Sequence, residues 1–206
     1  MAIDTTKKVK KITVDGTEME LTGGVNKLPQ VMNKTVVEIS YNDLNGATNI
    51  PNYAFQDCIY LTDISIPDSV VSLGIHIFSG CVNLSKVSLG QNIEIIESFM
   101  FRNCTSLTNI TIPERVTKIN NYAFGGCYIL NNVIIPRNVE TIGLGAFNDC
   151  AALTTMTILA TTPPTLANNA ISSTTTTIYI PAGTLSAYQT ATNWSSHASK
   201  FVELAE

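Results

Sequence analysis

The five cysteines of this chain are evenly spaced, and their spacing constrains the fold more than any other feature of the sequence. Each cysteine lies 23 residues after the one before it, and together they are Cys58, Cys81, Cys104, Cys127 and Cys150. Internal periods of about 20 to 50 residues are typical of solenoids and other repeat arrays. The spacing therefore predicts a stack of similar structural units.

Other positions of the repeat follow the same period. A phenylalanine precedes each cysteine by three residues, and a leucine follows it by three. The unit then continues with an I-x-I-P step, as at Ile64, Ile66 and Pro67. The alternation predicts a short β-strand with two inward side chains, and the proline ends the hydrogen bonding there. Because one unit is too short to enclose a core, we expect units to stack about 4.8 Å apart and to bury the same positions against their copies.

The pattern F-x-x-C-x-x-L-x-x-I-x-I-P at this spacing resembles the BspA-like leucine-rich repeat family over about residues 36–159. The resemblance implies a mainly β leucine-rich-repeat solenoid with one short parallel strand per 23-residue repeat and a continuous parallel sheet. Members of the family are mostly bacterial surface or secreted proteins, some of them involved in attachment. Similar repeats are also found in proteins of bacteriophage genomes.

The two ends of the chain depart from the repeat. Residues 11–21 alternate apolar and polar side chains around Asp15 and Gly16, which predicts a β-hairpin with a two-residue turn. After a degenerate, threonine-rich last unit, Thr184 is the predicted N-cap of a short amphipathic helix that closes the stack. We therefore divide the chain into an N-terminal hairpin and anchor segment (1–35), the solenoid (36–181) and a C-terminal cap (182–206).

The composition argues against two classes of partner. Only 14% of the residues are charged and the net charge is −4, so nothing draws the whole chain to nucleic acid or anionic lipid. No apolar run approaches the roughly 18 residues of a membrane helix. We expect neither specific nucleic-acid binding nor membrane insertion. Basic residues cluster once, and this candidate anchor is either a solvated terminus or an arm that docks onto an acidic partner; its residues are Lys7, Lys8, Lys10 and Lys11.

The residues that could carry chemistry have simpler structural explanations. The cysteines form no C-x-x-C pair, so buried thiols are favoured over disulfides or metal ligands. His76 occupies the position of Tyr53, Phe99 and Tyr122 in other units, which predicts a place in an aromatic ladder. His197 has no recognisable catalytic partner, and the sequence contains no nucleophile elbow, zinc-protease helix or phosphate loop. We expect a protein that is not an enzyme, with no catalytic residues, no bound metal and no cofactor.

The best candidate for a binding surface is the outward strand face, formed by the residues that flank the inward side chains of each I-x-I step. It is either a surface that recognises protein or glycan, or a solvated β-ladder. A more apolar alternative is the set of turn residues Ile59, Tyr60, Tyr128 and Ile129. The residues of the outward strand face are Asp63, Ser65, Lys86, Ser88, Asn109, Thr111, Asn132, Ile134, Thr155 and Thr157.

These observations lead to two functional hypotheses, both with protein partners. Residues 1–11 lack the apolar stretch of a signal peptide, which favours assembly inside a host cell. The leading hypothesis is therefore a bacteriophage virion accessory protein in the capsid or tail, or at the host surface, held by its N-terminal anchor. The alternative is a bacterial surface or secreted adhesin that binds host protein or glycan. Association of copies into a homo-oligomer stays open.

Overall fold

The computed structural model describes residues 11–14, 17–20, 37–39, 47–59, 61–172 and 176–205. The first two strands, β1 (Lys11–Val14) and β2 (Thr17–Glu20), pair antiparallel with Val14 opposite Thr17. This pairing confirms the predicted hairpin, while Asp15 and Gly16 of its turn lie outside the described residues.

The described residues from Val37 to Ile180 form the predicted mainly β solenoid of parallel strands. The parallel strands are, in chain order, β3 (Val37–Ile39), β4 (Asn49–Ile50), β5 (Leu61–Ser65), β6 (Ser72–Leu73), β7 (Lys86–Ser88), β8 (Ile95–Ile96), β9 (Lys118–Ile119), β10 (Asn132–Ile135), β11 (Thr141–Ile142), β12 (Thr155–Ile158), β13 (Thr165–Leu166), β14 (Thr177–Ile180) and β15 (Phe201–Glu203).

The I-x-I steps form parallel strands, as predicted, but these strands lie in two sheets. The strands pair in the orders β3-β5-β7 and β10-β12-β14-β15. Residues 109–112 lie between these two sheets and are not in a strand, so the expected single sheet is divided there. The structure adds a second group of parallel two-residue strands, β4-β6 and β8-β9-β11-β13. This second group comes from the V-x-x-I end of the repeat, whose aliphatic side chain is buried, as at Leu73 and Ile96.

The core repeats the same contacts from coil to coil. Five fully buried phenylalanine rings stack with centroid separations of 5.2 to 5.5 Å, and they are Phe55, Phe78, Phe101, Phe124 and Phe147. Four cysteine thiols are buried beside them, and each donates to a phenylalanine carbonyl of the preceding coil, as Cys81 Sγ does to Phe55 O at 3.0 Å. All five cysteines are free, and Cys58, in the first cysteine-bearing unit, is half-buried. The cysteines are therefore packing residues, as the spacing predicted.

The C-terminal cap is built from a helix α1 (Leu185–Thr190), a 3-10 helix (Ser195–Lys200) and β15. Tyr188 and Trp194 are fully buried and meet edge to face, with ring centroids 5.5 Å apart. Thr184 occupies the predicted N-cap position, but its hydroxyl donates to Pro181 O at 2.6 Å and makes no capping hydrogen bond. None of the helices within the described ranges is long and apolar enough to cross a bilayer.

Candidate functional site

The structure aligns the residues of the outward strand face in rows across neighbouring coils. Strand pairing places Asp63 beside Lys86 and Ser65 beside Ser88. In the C-terminal sheet, Asn132 pairs with Thr155 and Ile134 with Thr157. Asn109 and Thr111 lie in the strand-free segment between the two sheets, and both are exposed. Six of the ten residues are exposed and the other four are half-buried, so the predicted face exists as a surface.

Charge is confined to the N-terminal end of this face. Lys86 Nζ lies 3.4 Å from Asp63 Oδ1, and the Lys86 side chain is 82% exposed. Such an exposed pair contributes about 0 to 1 kcal/mol, so it orders the surface without stabilising the fold strongly. The other eight positions carry no charge. These positions can therefore offer only hydrogen bonds and apolar contact.

The outward strand face continues beyond the residues that the sequence predicted. Thr157 pairs with Tyr179 on β14, and Tyr179 pairs with Val202 on β15. Ile134 is 55% exposed and Val202 is 44% exposed, so apolar side chains accumulate towards the C-terminal end. The sequence could have predicted the place of Tyr179 on this face, because Ile178-x-Ile180-Pro181 repeats the I-x-I-P step. Val202 lies outside the repeat and had no such signal.

The competing turn residues are exposed as well. Ile59, Tyr128 and Ile129 are 45%, 50% and 44% exposed, whereas Tyr60 lies outside the described residues. Val82 and Thr105 occupy the same repeat position as Ile59 in the next two coils and are half-buried. The turn residues therefore offer separate apolar contacts rather than a regular row.

The side chain of His76 has a structural role. Its ring stacks between Tyr53 and Phe99, with centroid separations of 5.2 and 4.4 Å. Tyr122 extends the stack at 5.4 Å from Phe99, which confirms the predicted aromatic ladder. Burial, together with the nearby Arg102 guanidinium, lowers the pKa of His76. Its Nδ1 is buried, and no described residue hydrogen-bonds to it or prepares it as a general base.

The thiols are equally unsuited to chemistry. Burial raises the pKa of Cys58 and Cys150 to about 12, and it raises the pKa of Cys81, Cys104 and Cys127 well above the ordinary value. Because the thiolate is the nucleophile and the metal ligand, these protonated thiols are inert at neutral pH. Across the part of the chain that the structure describes, no group of three or more His, Cys, Asp or Glu side chains could hold a metal ion.

The candidate anchor lies mostly outside the described residues. Lys7, Lys8 and Lys10 belong to the undescribed N-terminal residues, and Lys11 begins β1, where it pairs with Glu20. The anchor remains a prediction.

The repeats match a known family model. The model described as BspA type leucine rich repeat region matches six copies over residues 48–180. A search of curated proteins returned no match.

A leucine rich repeat protein of T. pallidum is 34% identical over 54% of this chain, with a TM-score of 0.53. A leucine rich cell surface protein from Faecalibacterium prausnitzii is 38% identical over 55% of this chain, with a TM-score of 0.54. The match to the pneumococcal vaccine antigen PcpA covers 96% of this chain and 48% of the PcpA chain, at 15% identity and a TM-score of 0.65. The two proteins share the fold. The matched regions cover 52% of the T. pallidum chain and 30% of the F. prausnitzii chain.

Proposed function

This chain belongs to the BspA-type leucine-rich repeat family, and we propose that it is a non-enzymatic adhesion module of a bacterial cell surface. The observation that carries the proposal is the outward strand face, where strand pairing sets exposed side chains in regular rows. Extended solenoid faces of this kind commonly bind partners. The F. prausnitzii relative, a cell surface protein, supports the same setting.

The chemistry of the face favours a protein partner. Its C-terminal part combines uncharged hydrogen-bonding groups, such as Asn132 and Thr155, with the exposed side chains of Ile134 and Val202. A protein interface typically has an apolar centre and a polar rim, and this part of the face offers both. A host glycan is the competing ligand for the same face.

The proposal keeps the division into an anchor segment (1–35), a solenoid (36–181) and a cap (182–206). In this arrangement the N-terminal segment, with Lys7, Lys8 and Lys10, attaches the solenoid to a larger assembly and the outward strand face points to the partner. The bacteriophage virion hypothesis gains no support from the relatives, which are bacterial proteins. The surface alternative is therefore the one we carry forward.

A binding experiment with matched variants tests this proposal. Beads coated with the full chain are incubated with host epithelial cells and with immobilised extracellular matrix proteins. The variant Ile134→Asp places a charge at the centre of the C-terminal part of the face. The control Leu144→Asp changes another exposed aliphatic residue, 39% exposed, at a repeat position outside the I-x-I strands.

We expect wild type and Leu144→Asp to bind equally and Ile134→Asp to lose at least about tenfold in affinity, since a charge forced into an apolar contact is costly. Equal binding by both variants would exclude the C-terminal part of the face as the contact. Loss of binding after glycosidase treatment of the cells would identify the ligand as a glycan and contradict the protein partner.

A further inference from the structure

A groove lies at the C-terminal end of the solenoid, between the last repeat and the cap. Its volume is about 320 Å³, and its polar lining comes from Asn168, Asn169, Asn193, Ser196 and His197. This size is at the lower end of the about 300–1,000 Å³ typical of small-molecule sites. No sequence motif indicated this groove, because its lining combines residues of the degenerate last repeat with residues of the cap.

The rim of the groove is held in place by its own hydrogen bonds. Asn193 Nδ2 donates to Leu166 O at 2.6 Å, which ties the cap to the last repeat. Ser196 Oγ donates to Asn193 O at 2.7 Å, within the cap. Asn169 and Asn193 both adopt left-handed backbone conformations, with φ values of 55° and 66°. The walls are therefore formed before any ligand arrives, which lowers the cost of binding.

Other polar groups in the groove make no side-chain hydrogen bond within the described part of the chain. The side-chain amides of Asn168 and Asn169 are exposed and make no hydrogen bond to any residue that the structure describes. The half-buried ring of His197 likewise has no side-chain hydrogen bond there, and its Nδ1 is buried without a partner. An amide both donates and accepts, whereas the imidazole of His197, with its Nδ1 buried, has only Nε2 left for a ligand in the groove. The groove therefore offers donors and acceptors together.

The groove carries no charge of its own. None of the lining residues has a carboxylate or an ammonium group. Burial, followed by the proximity of Lys200, lowers the pKa of His197, which keeps the imidazole neutral at neutral pH. An anion or a cation would lose its hydration here without meeting an opposite charge. An apolar ligand would cover the free amides without satisfying them.

We propose that this groove binds a neutral saccharide, a mono- or disaccharide unit, through the side chains of Asn168, Asn169 and His197. Sugar hydroxyls donate and accept at once, as the two asparagine side chains do, and they need no charged partner. The groove and the outward strand face use different residues, so this proposal does not depend on the adhesion proposal.

The chain contains its own reporter for this site. Trp194 is the only tryptophan, and its ring lies edge-on to His197 with centroids 6.4 Å apart. Its fluorescence therefore responds to changes at the groove. The full chain is titrated with glucose, galactose, mannose and N-acetylglucosamine, with isothermal calorimetry as the second readout.

Two variants remove the free amides. Asn169→Gly deletes one amide and tolerates the left-handed backbone at that position. Asn103→Gly is the matched control, since Asn103 is an exposed asparagine with φ 60° in a central coil. Asn168→Ala removes the second amide and provides an independent test should Asn169→Gly perturb folding, which circular dichroism would detect.

We expect at least one of the four sugars to bind saturably with a Kd of about 1 mM or tighter. Asn169→Gly and Asn168→Ala should each weaken binding at least about fivefold, and Asn103→Gly should leave it unchanged. Absence of binding by all four sugars would overturn the proposal. Binding that persists unchanged in both Asn168→Ala and Asn169→Gly would place the sugar elsewhere and overturn it equally.

Discussion

The central coils and the C-terminal cap bury aromatic side chains in different ways. In the central coils, each phenylalanine ring lies between copies of itself, as Phe101 does at 5.5 and 5.4 Å from its neighbours. In the cap, each buried aromatic side chain is held by its own hydrogen bond to a backbone carbonyl instead of by a stack of identical rings. Tyr188 Oη donates to Ala160 O at 2.7 Å, and Trp194 Nε1 donates to Pro164 O at 2.6 Å. The coils are stabilised by repeated contacts, and the cap by individual ones.

This difference has a consequence for stability. The stability of a solenoid is approximately the sum of the stability of each repeat and of the interfaces between neighbouring repeats. A substitution in a central repeat therefore weakens two interfaces at once. A change in the cap weakens only the end of the stack. We therefore expect central substitutions to destabilise the whole chain and cap substitutions to loosen one end.

Alkaline pH should destabilise the central coils most. Burial raises the pKa of Cys81, Cys104 and Cys127 well above the ordinary value of 9.0, and that of Cys150 to about 12. Unfolded thiols ionise near their ordinary pKa while the folded ones stay protonated. Stability is therefore fully present below about pH 9 and is lost as the pH rises towards 12. Burial also raises the pKa of Cys58 to about 12, so five thiols at about 1.4 kcal/mol each per pH unit would remove about 7 kcal/mol by pH 10.

Urea unfolding between pH 7 and pH 10 measures this loss. Cys104→Ala is the matched control, because it removes one of the five titrating thiols and should reduce the alkaline loss by about a fifth. A free energy of unfolding that stays constant up to pH 10 would contradict the buried thiol ladder.

Phe101→Ala should be the most damaging single substitution in the central coils. Phe101 is fully buried and stacks on rings from both neighbouring coils. Truncation leaves a cavity and removes both contacts, for an expected loss of about 3 to 5 kcal/mol in the free energy of unfolding. A loss below about 1 kcal/mol would show that the stacking register is wrong.

Tyr188→Phe should weaken the cap alone. The substitution keeps the ring and removes the hydroxyl, which leaves the buried carbonyl of Ala160 without its partner, at a cost of about 1 to 3 kcal/mol. Trp194 fluorescence should then report unfolding at a lower urea concentration than far-ultraviolet circular dichroism does. Coincident transitions by both probes would mean that cap and coils unfold together.

His76→Phe should have the smallest effect. Phe99 and Tyr122 adopt the same left-handed backbone at the equivalent positions, so the phenylalanine ring fits the ladder. The pKa of His76 is lowered, so its contribution to stability is present above its ordinary value of 6.5 and is lost as the pH falls. The variant should change stability at pH 7 by less than about 1 kcal/mol and should weaken the acid dependence. A large loss at pH 7 would assign His76 a role beyond stacking.

The sequence predicted the parts of the molecule that repeat. The cysteine period located the phenylalanine stack, the buried thiols and the position of His76 in its ladder. The same period placed Asn132 and Ile134 on an outward face, because inward and outward side chains alternate along a strand.

The parts that do not repeat were less accessible to sequence reasoning. The hydroxyl of Thr184 bonds to Pro181 O instead of capping α1, a choice that depends on local backbone geometry. Val202 joins the outward strand face only because the chain returns to pair β15 with β14. The groove at Asn168 and His197 needs the cap to fold against the last repeat, which no spacing reveals.

Fractionation of the source culture tests the central claim, that this solenoid works at a bacterial surface. The culture is lysed and banded by density, and mass spectrometry then locates the chain among envelope, supernatant and particle fractions. We expect the chain to travel with the cell envelope or the culture supernatant. Banding with particles filled with nucleic acid would contradict that claim and would establish the virion hypothesis instead.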